Sequence, residues 1–138
     1  MITWISSYPK SGNTWVRAFI TTYLHSEDNN FNINLLNRIS EFPDHNILGK
    51  FMNNSDFHNL GEISKHWIKV QEFINLKSKF IFLKTHSALC NINGNIFTNN
   101  DTTAALIYIV RDPRNVVLSM SNHFGLSQEE SFKTIINE

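Results

Sequence analysis

The stretch Ile2-Thr-Trp-Ile-Ser-Ser-Tyr-Pro-Lys-Ser-Gly-Asn-Thr-Trp15 reads as a strand, a tight turn and the start of a helix. Ile2 to Tyr8 is rich in β-branched and aromatic residues, Pro9 and Gly12 punctuate the run, and from Val16 the apolar spacing becomes helical. A strand that feeds a helix through so short a loop is the opening of a parallel α/β unit.

Such a junction suits an anion. The first N–H groups of a helix lack intrahelical partners and carry the positive end of its dipole, so a glycine-containing loop there can enclose a phosphate. Lys10 adds a mobile charge, and Ser11, Asn13 and Thr14 can supply side-chain hydrogen bonds. The Walker A pattern GxxxxGK[ST] places its lysine after the glycine, whereas Lys10 precedes Gly12, so the loop is of another kind.

Outward from this junction, Val16, Phe19, Ile20 and Tyr23 fall at helical spacing and predict a helix over 14–25 with that face on the sheet. Trp15, beside that face, has core packing as its plain reading. Residues Ser26 to Leu60 are dense in Asn, Asp and Ser and interrupted by Pro43 and Gly49, which predicts loop with a short helical piece over 33–39. Its apolar residues Phe42, Leu48, Phe51 and Met52 either cover the core or wall a ligand pocket. Glu62 to Leu76 carries Ile63, Trp67, Val70, Phe73 and Ile74 at helical spacing, and Lys79 to Lys84 is an apolar run of strand length.

Asn93-Gly94 marks a turn inside the polar loop Ser87 to Thr103. Ala104 to Val110 is a third, wholly apolar strand, with Arg111 at its carboxyl end. Asp112 can cap and Pro113 can open a helix running to Phe124, with Gly125 as its terminator. Val116, Val117, Met120 and Phe124 form its core side, and Asn115, Ser119 and Asn122 a polar stripe. Ser127 and Glu130 make a capping box for a last helix over 128–137. The fold class is therefore α/β, one domain over 1–138, built on a three-layer parallel sheet. Ligands of such sheets bind at the carboxyl ends of the strands, where Tyr8, Lys84 and Arg111 all stand.

Composition narrows the partners. Twelve basic and twelve acidic residues give no net field, so neither nucleic acid nor an anionic membrane surface is expected as a general partner, and any anion site must be local. Cys90 is the single cysteine, which excludes an intrachain disulfide and suits a reducing compartment; it is either a reactive thiol or simply buried. With no apolar run of about 18 residues and no basic-then-apolar leader, the expected location is cytoplasmic. The six histidines show no metal-like pairing and no HExxH spacing, so no metal is expected.

Taken as a string, Tyr8-Pro-Lys-Ser-Gly-Asn-Thr-Trp15 closely resembles the YPKSGTTW signature of sulfotransferases that use 3′-phosphoadenosine 5′-phosphosulfate (PAPS), with Asn13 in place of a threonine. Ile107 to Gly125, IYIVRDPRNVVLSMSNHFG, resembles that family's segment for the 3′-phosphate, and Lys84-Thr85-His86 is similar to the KTH tripeptide of its cytosolic members. The resemblance implies a P-loop-type nucleotide-binding fold. It also implies transfer of a sulfuryl group to a hydroxyl or amine acceptor, leaving adenosine 3′,5′-bisphosphate (PAP). By the same likeness Lys10, Ser11, Gly12, Asn13 and Thr14 hold the phosphosulfate end, Trp15 stacks on the adenine, and Arg111 and Ser119 take the 3′-phosphate. His86 is then the base, Lys10 the stabiliser of the leaving group and Lys84 its helper.

Each residue also has a plainer reading: Arg111 as one half of a structural salt bridge, His86 as a structural or solvated histidine. The likeness covers the two ends of the chain better than its middle. The family's further elements have no counterpart before Glu138, so the expectation is an incomplete, minimal or degenerate version of the domain, or one completed as a homo-oligomer. Two other classes fit parts of the sequence. One is a catalytically incomplete PAPS- or PAP-binding or interaction module. The other is a P-loop kinase or NTPase, against which stand the missing GK[ST] and the lack of a strand-end aspartate for magnesium.

Overall fold

The first strand, β1 (Ile2–Ser7), lies between β3 (Ile81–Thr85) and β6 (Thr103–Ile109), and the short β2 (Ser40–Glu41) extends the sheet beyond β3. All of these pairings are parallel, with Trp4 in register with Leu83 on one side and Leu106 on the other. The computed structural model describes residues 1–52, 57–77 and 79–137. Helices α1 (Asn13–His25), α2 (His45–Leu48), α3 (Leu60–Ser64), α4 (Trp67–Lys77), α5 (Pro113–Phe124) and α6 (Gln128–Asn137) flank the sheet, so the α/β expectation holds.

Alternation along β1 sends Ile2 and Trp4 to one face, where an aromatic cluster buries them. The Trp4 ring meets Phe42 and Phe97 at 5.4 Å each, and Trp67 meets Phe97 at 5.2 Å, edge-on or tilted as ring quadrupoles favour. Phe42, Leu48 and Met52 all lie in this core, which settles their two readings in favour of packing. A polar knot closes the cluster. The side chain of Gln71, fully buried on α4, donates to the Phe97 carbonyl at 2.6 Å and accepts from the Thr98 and Thr102 hydroxyls. Thr103 Oγ1 in turn accepts from the Trp4 indole at 2.8 Å. The loop before β6 is thus tied to the core with its buried polar atoms paired.

The turn chemistry follows the sequence. Asn93 and Gly94, both at positive φ, close a hairpin between β4 (Asn91–Ile92) and β5 (Asn95–Ile96). Asp112 caps α5, with Pro113 in its first turn and Gly125 in the left-handed conformation after it. The box at α6 closes in both directions, Ser127 N and Oγ donating to Glu130 Oε2 and the Glu130 N–H donating to Ser127 Oγ.

Three expectations are corrected. The helix over 62–76 is two helices: the last turn of α3 tightens to i→i+3 bonds, and the chain turns at Lys65-His66 so that Ile63 and Trp67 both reach the core. The buried face of α1 is Asn13 and Thr21, with Arg17 between them; Phe19 and Tyr23 are exposed. Arg17 causes this by donating to the carbonyls of Leu36 and Ile39 at 2.8 and 3.0 Å, which turns the polar side of α1 inward. Trp15 is 82% exposed, which removes core packing, the plainer of its two readings. On α5 Val116 and Met120 are buried as expected, but Phe124 is exposed.

Candidate functional site

The loop from Tyr8 to Gly12 turns the chain from β1 into α1 by placing two residues in the left-handed region, Lys10 at φ 65° and Gly12 at φ 112°. Gly12 is the N-cap and contributes no side-chain cap, and among the described residues the N–H groups of Gly12, Asn13 and Thr14 donate to no protein acceptor. Three open donors at the positive end of a 13-residue helix form a cradle for an anion. Lys10 is half-buried beside it, Ser11 is buried and Thr14 is exposed.

Two other strand ends meet this loop. Arg111, just past β6, donates from Nη1 to the Lys10 carbonyl at 3.0 Å across 101 positions of chain. His86, just past β3, sets Nδ1 2.7 Å from the Ser7 carbonyl and 3.3 Å from Ser7 Oγ. A carbonyl has no proton to give, so Nδ1 carries a hydrogen, and in the neutral form of the ring the lone pair is on Nε2. Lys10, Arg111 and His86, found in three separate segments of the sequence, are thereby gathered around Ser7 and the loop.

The remaining candidates lie differently. Asn13 presents its backbone N–H to the cradle, but its side chain is 95% buried by its 5% exposure and turned back onto β1, donating from Nδ2 to the Ile5 carbonyl at 3.0 Å and to Ser7 Oγ at 3.3 Å. The Lys84 ammonium is engaged by Glu41 at 2.8 Å and sits largely covered, so its charge is compensated by β2. Burial lowers the pKa of neighbouring Arg17, an effect that the Glu41 carboxylate opposes. Ser119 is half-buried on α5 and, among the described residues, forms no hydrogen bond to Arg111 or to the loop. Asp112, beside Arg111, is occupied by Arg114, whose hydrogen bonds hold its carboxyl below the usual range.

Two hollows open next to the loop. One, of about 650 Å³, has Trp4, His86, Leu89, Phe97, Leu106 and Tyr108 in its wall and no Asp, Glu, Lys or Arg among its lining residues. The other, of about 420 Å³, lies along the outer face of α1 between Trp15, Phe19, Phe31 and Ile33. Among the described residues no group of three or more His, Cys, Asp or Glu gathers in a way that could hold a metal ion. No helix of the described residues is long and apolar enough to cross a membrane.

Sequence reasoning missed Ser7. It sits mid-pattern in a strand and bears no motif signal; only the fold brings the histidine 79 positions away onto its carbonyl. A family model described as "Sulfotransferase domain" matches residues 2–138. A search of curated proteins found no match to the chain.

Proposed function

Because the chain belongs to the sulfotransferase-domain family, we propose that it is a cytoplasmic transferase that moves a sulfuryl group from PAPS to a hydroxyl or amine, releasing PAP. One observation carries this reading: the ends of β1, β3 and β6 bring an open-amide cradle, Arg111 and an imidazole anchored through Nδ1 to one edge of one sheet. The open amides and Lys10 suit the phosphosulfate end of the donor, by charge-assisted hydrogen bonding. Trp15, exposed on the rim of an aromatic groove, offers a stacking face for the adenine. Arg111 and Ser119 would serve the 3′-phosphate, Arg111 through its planar fork.

In the transfer, the acceptor oxygen or nitrogen forms a bond to sulfur as the bond from sulfur to the 5′-phosphate oxygen breaks. His86 Nε2 takes the acceptor's proton. Lys10 and the loop amides offset the charge gathering on the departing phosphate. The hollow beside His86 is the candidate acceptor pocket, and its size falls within the range of small-molecule sites. The apolar residues left exposed on β6 favour a second reading, a donor-binding module without turnover.

Calorimetric titration with PAP tests the proposal, with magnesium–ATP as the control. PAP should bind and ATP should not compete with it. Lys10→Ala and Arg111→Ala should each weaken PAP binding by about 1.5–3 kcal/mol, the range for hydrogen bonds to charged groups. His86→Ala should bind PAP normally and lose turnover of PAPS. A folded protein with no affinity for PAP sinks the proposal, and PAP binding without turnover in the parent chain selects the second reading.

A further inference from the structure

Behind His86 lies a chain of buried polar contacts through Ser7 to Asn13. Ser7 is 3% exposed and Asn13 5% exposed; Ser7 borders the hollow beside His86, and Asn13 lies behind it. Their hydrogen bonds run in one direction. Asn13 Nδ2 donates to the Ile5 carbonyl and to Ser7 Oγ, and Ser7 Oγ and carbonyl both face His86 Nδ1. With Nδ2 supplying a hydrogen to Ser7 Oγ, a lone pair of that oxygen remains for the imidazole N–H. The 2.7 Å contact to the carbonyl settles the direction, since a bare Nδ1 there would set two lone pairs against each other.

We propose that Ser7 and Asn13 are positioning residues that lock His86 in its Nδ1–H form, leaving Nε2 as the only proton acceptor of the ring. Ser7 is suited to this because β1 is paired on both sides at its end, through Ser6 with Thr85 and Ser7 with Ile109, so its carbonyl cannot swing away. Asn13 is suited because it is both the first residue of α1 and a side chain on β1, joining the start of the cradle helix to the anchor of the imidazole. The Asn13 amide has two hydrogens for these two acceptors, where a threonine hydroxyl would have one. The catalytic meaning of the lock rests on the proposed function, in which His86 is the base; the tautomer itself does not.

The test is long-range ¹H–¹⁵N NMR of the full chain above about pH 8, where imidazole is neutral, with donor affinity and turnover measured in parallel. His86 should show a protonated Nδ1 and a bare Nε2. Ser7→Ala, which keeps the carbonyl but removes the Oγ contact, should leave the proton on Nδ1, move its ¹H resonance and lower kcat about tenfold, part of the roughly 10²–10⁴-fold that general base catalysis supplies. Ser7→Thr, which keeps the oxygen, should restore both. Asn13→Ala should match Ser7→Ala; if that variant does not fold, the Ser7 pair carries the test. A His86 found with its proton on Nε2, or Ser7→Ala with the Nδ1–H resonance and kcat unchanged, overturns the proposal. Absence of turnover in a parent chain that shows the Nδ1–H form counts against the sulfotransferase reading and leaves the lock standing.

Discussion

Strands β1 and β6 are neighbours of similar length and similarly apolar sequence, yet Ile2, Trp4 and Ile5 are 0%, 2% and 0% exposed while Leu106 and Tyr108 are 57% and 64% exposed. The difference is position. β1 has a strand on each side and packed layers above and below; β6 is the sheet's edge, and nothing among the described residues covers Leu106, Tyr108 or Val110. Parallel sheets are ordinarily covered on both faces, and edge strands are usually guarded by charge or proline, neither of which β6 has. An apolar run therefore states what a strand could bury, not what it does bury. The site straddles this divide, with Lys10 and His86 anchored on the packed side and Arg111 on the open one.

Truncations should expose the asymmetry directly. Phe42→Ala, in the aromatic cluster, should cost about 3–5 kcal/mol in urea unfolding, the range for emptying a large buried ring. Leu106→Ala should stay within about 0.5 kcal/mol, as exposed positions do. Equal losses would show that β6 is covered in solution and would break the comparison. Gln71→Leu probes the knot between the two sides and should cost about 1–3 kcal/mol, because the Phe97 carbonyl then loses its donor in a buried place. The smallest effect lies furthest out, at α6. Hydrogen bonds from the Ser127 side chain and backbone hold the Glu130 carboxyl below its usual pKa. Its contribution is present at neutral pH and is lost as pH falls through that lowered value. Thermal melts from pH 7 down to pH 3 should show this slope diminished in Glu130→Gln; an identical slope would mean that the cap does not titrate.

Much of this was readable in advance because it is local. The β1 loop, the Asn93-Gly94 turn, the Asp112 and Gly125 limits of α5 and the Ser127 box depend on backbone preferences that a few residues dictate. What failed depends on partners. β2 is two residues long and has no periodicity to detect. Which face α1 buries is decided by carbonyls at Leu36 and Ile39 receiving Arg17, and no helical count contains that. The same holds in the site: its residue types were legible, but the inward turn of Asn13, the capture of Lys84 by Glu41 and the role of Ser7 appear only when distant segments meet.

The central place of β1 also dictates when the site can exist. Its two strand neighbours begin pairing at Ile81 and Thr103, and the contacts that define the site, His86 to Ser7 and Arg111 to Lys10, span 79 and 101 positions. Closing such loops adds little free energy, since each doubling of length costs only about 0.6 kcal/mol, but non-local parallel pairing is slow. During synthesis the cradle sequence emerges well before Ile81 and Thr103 and waits for both strands. Until β6 arrives, β1 has at most one flank, and its apolar residues are ones a chaperone would have to shield.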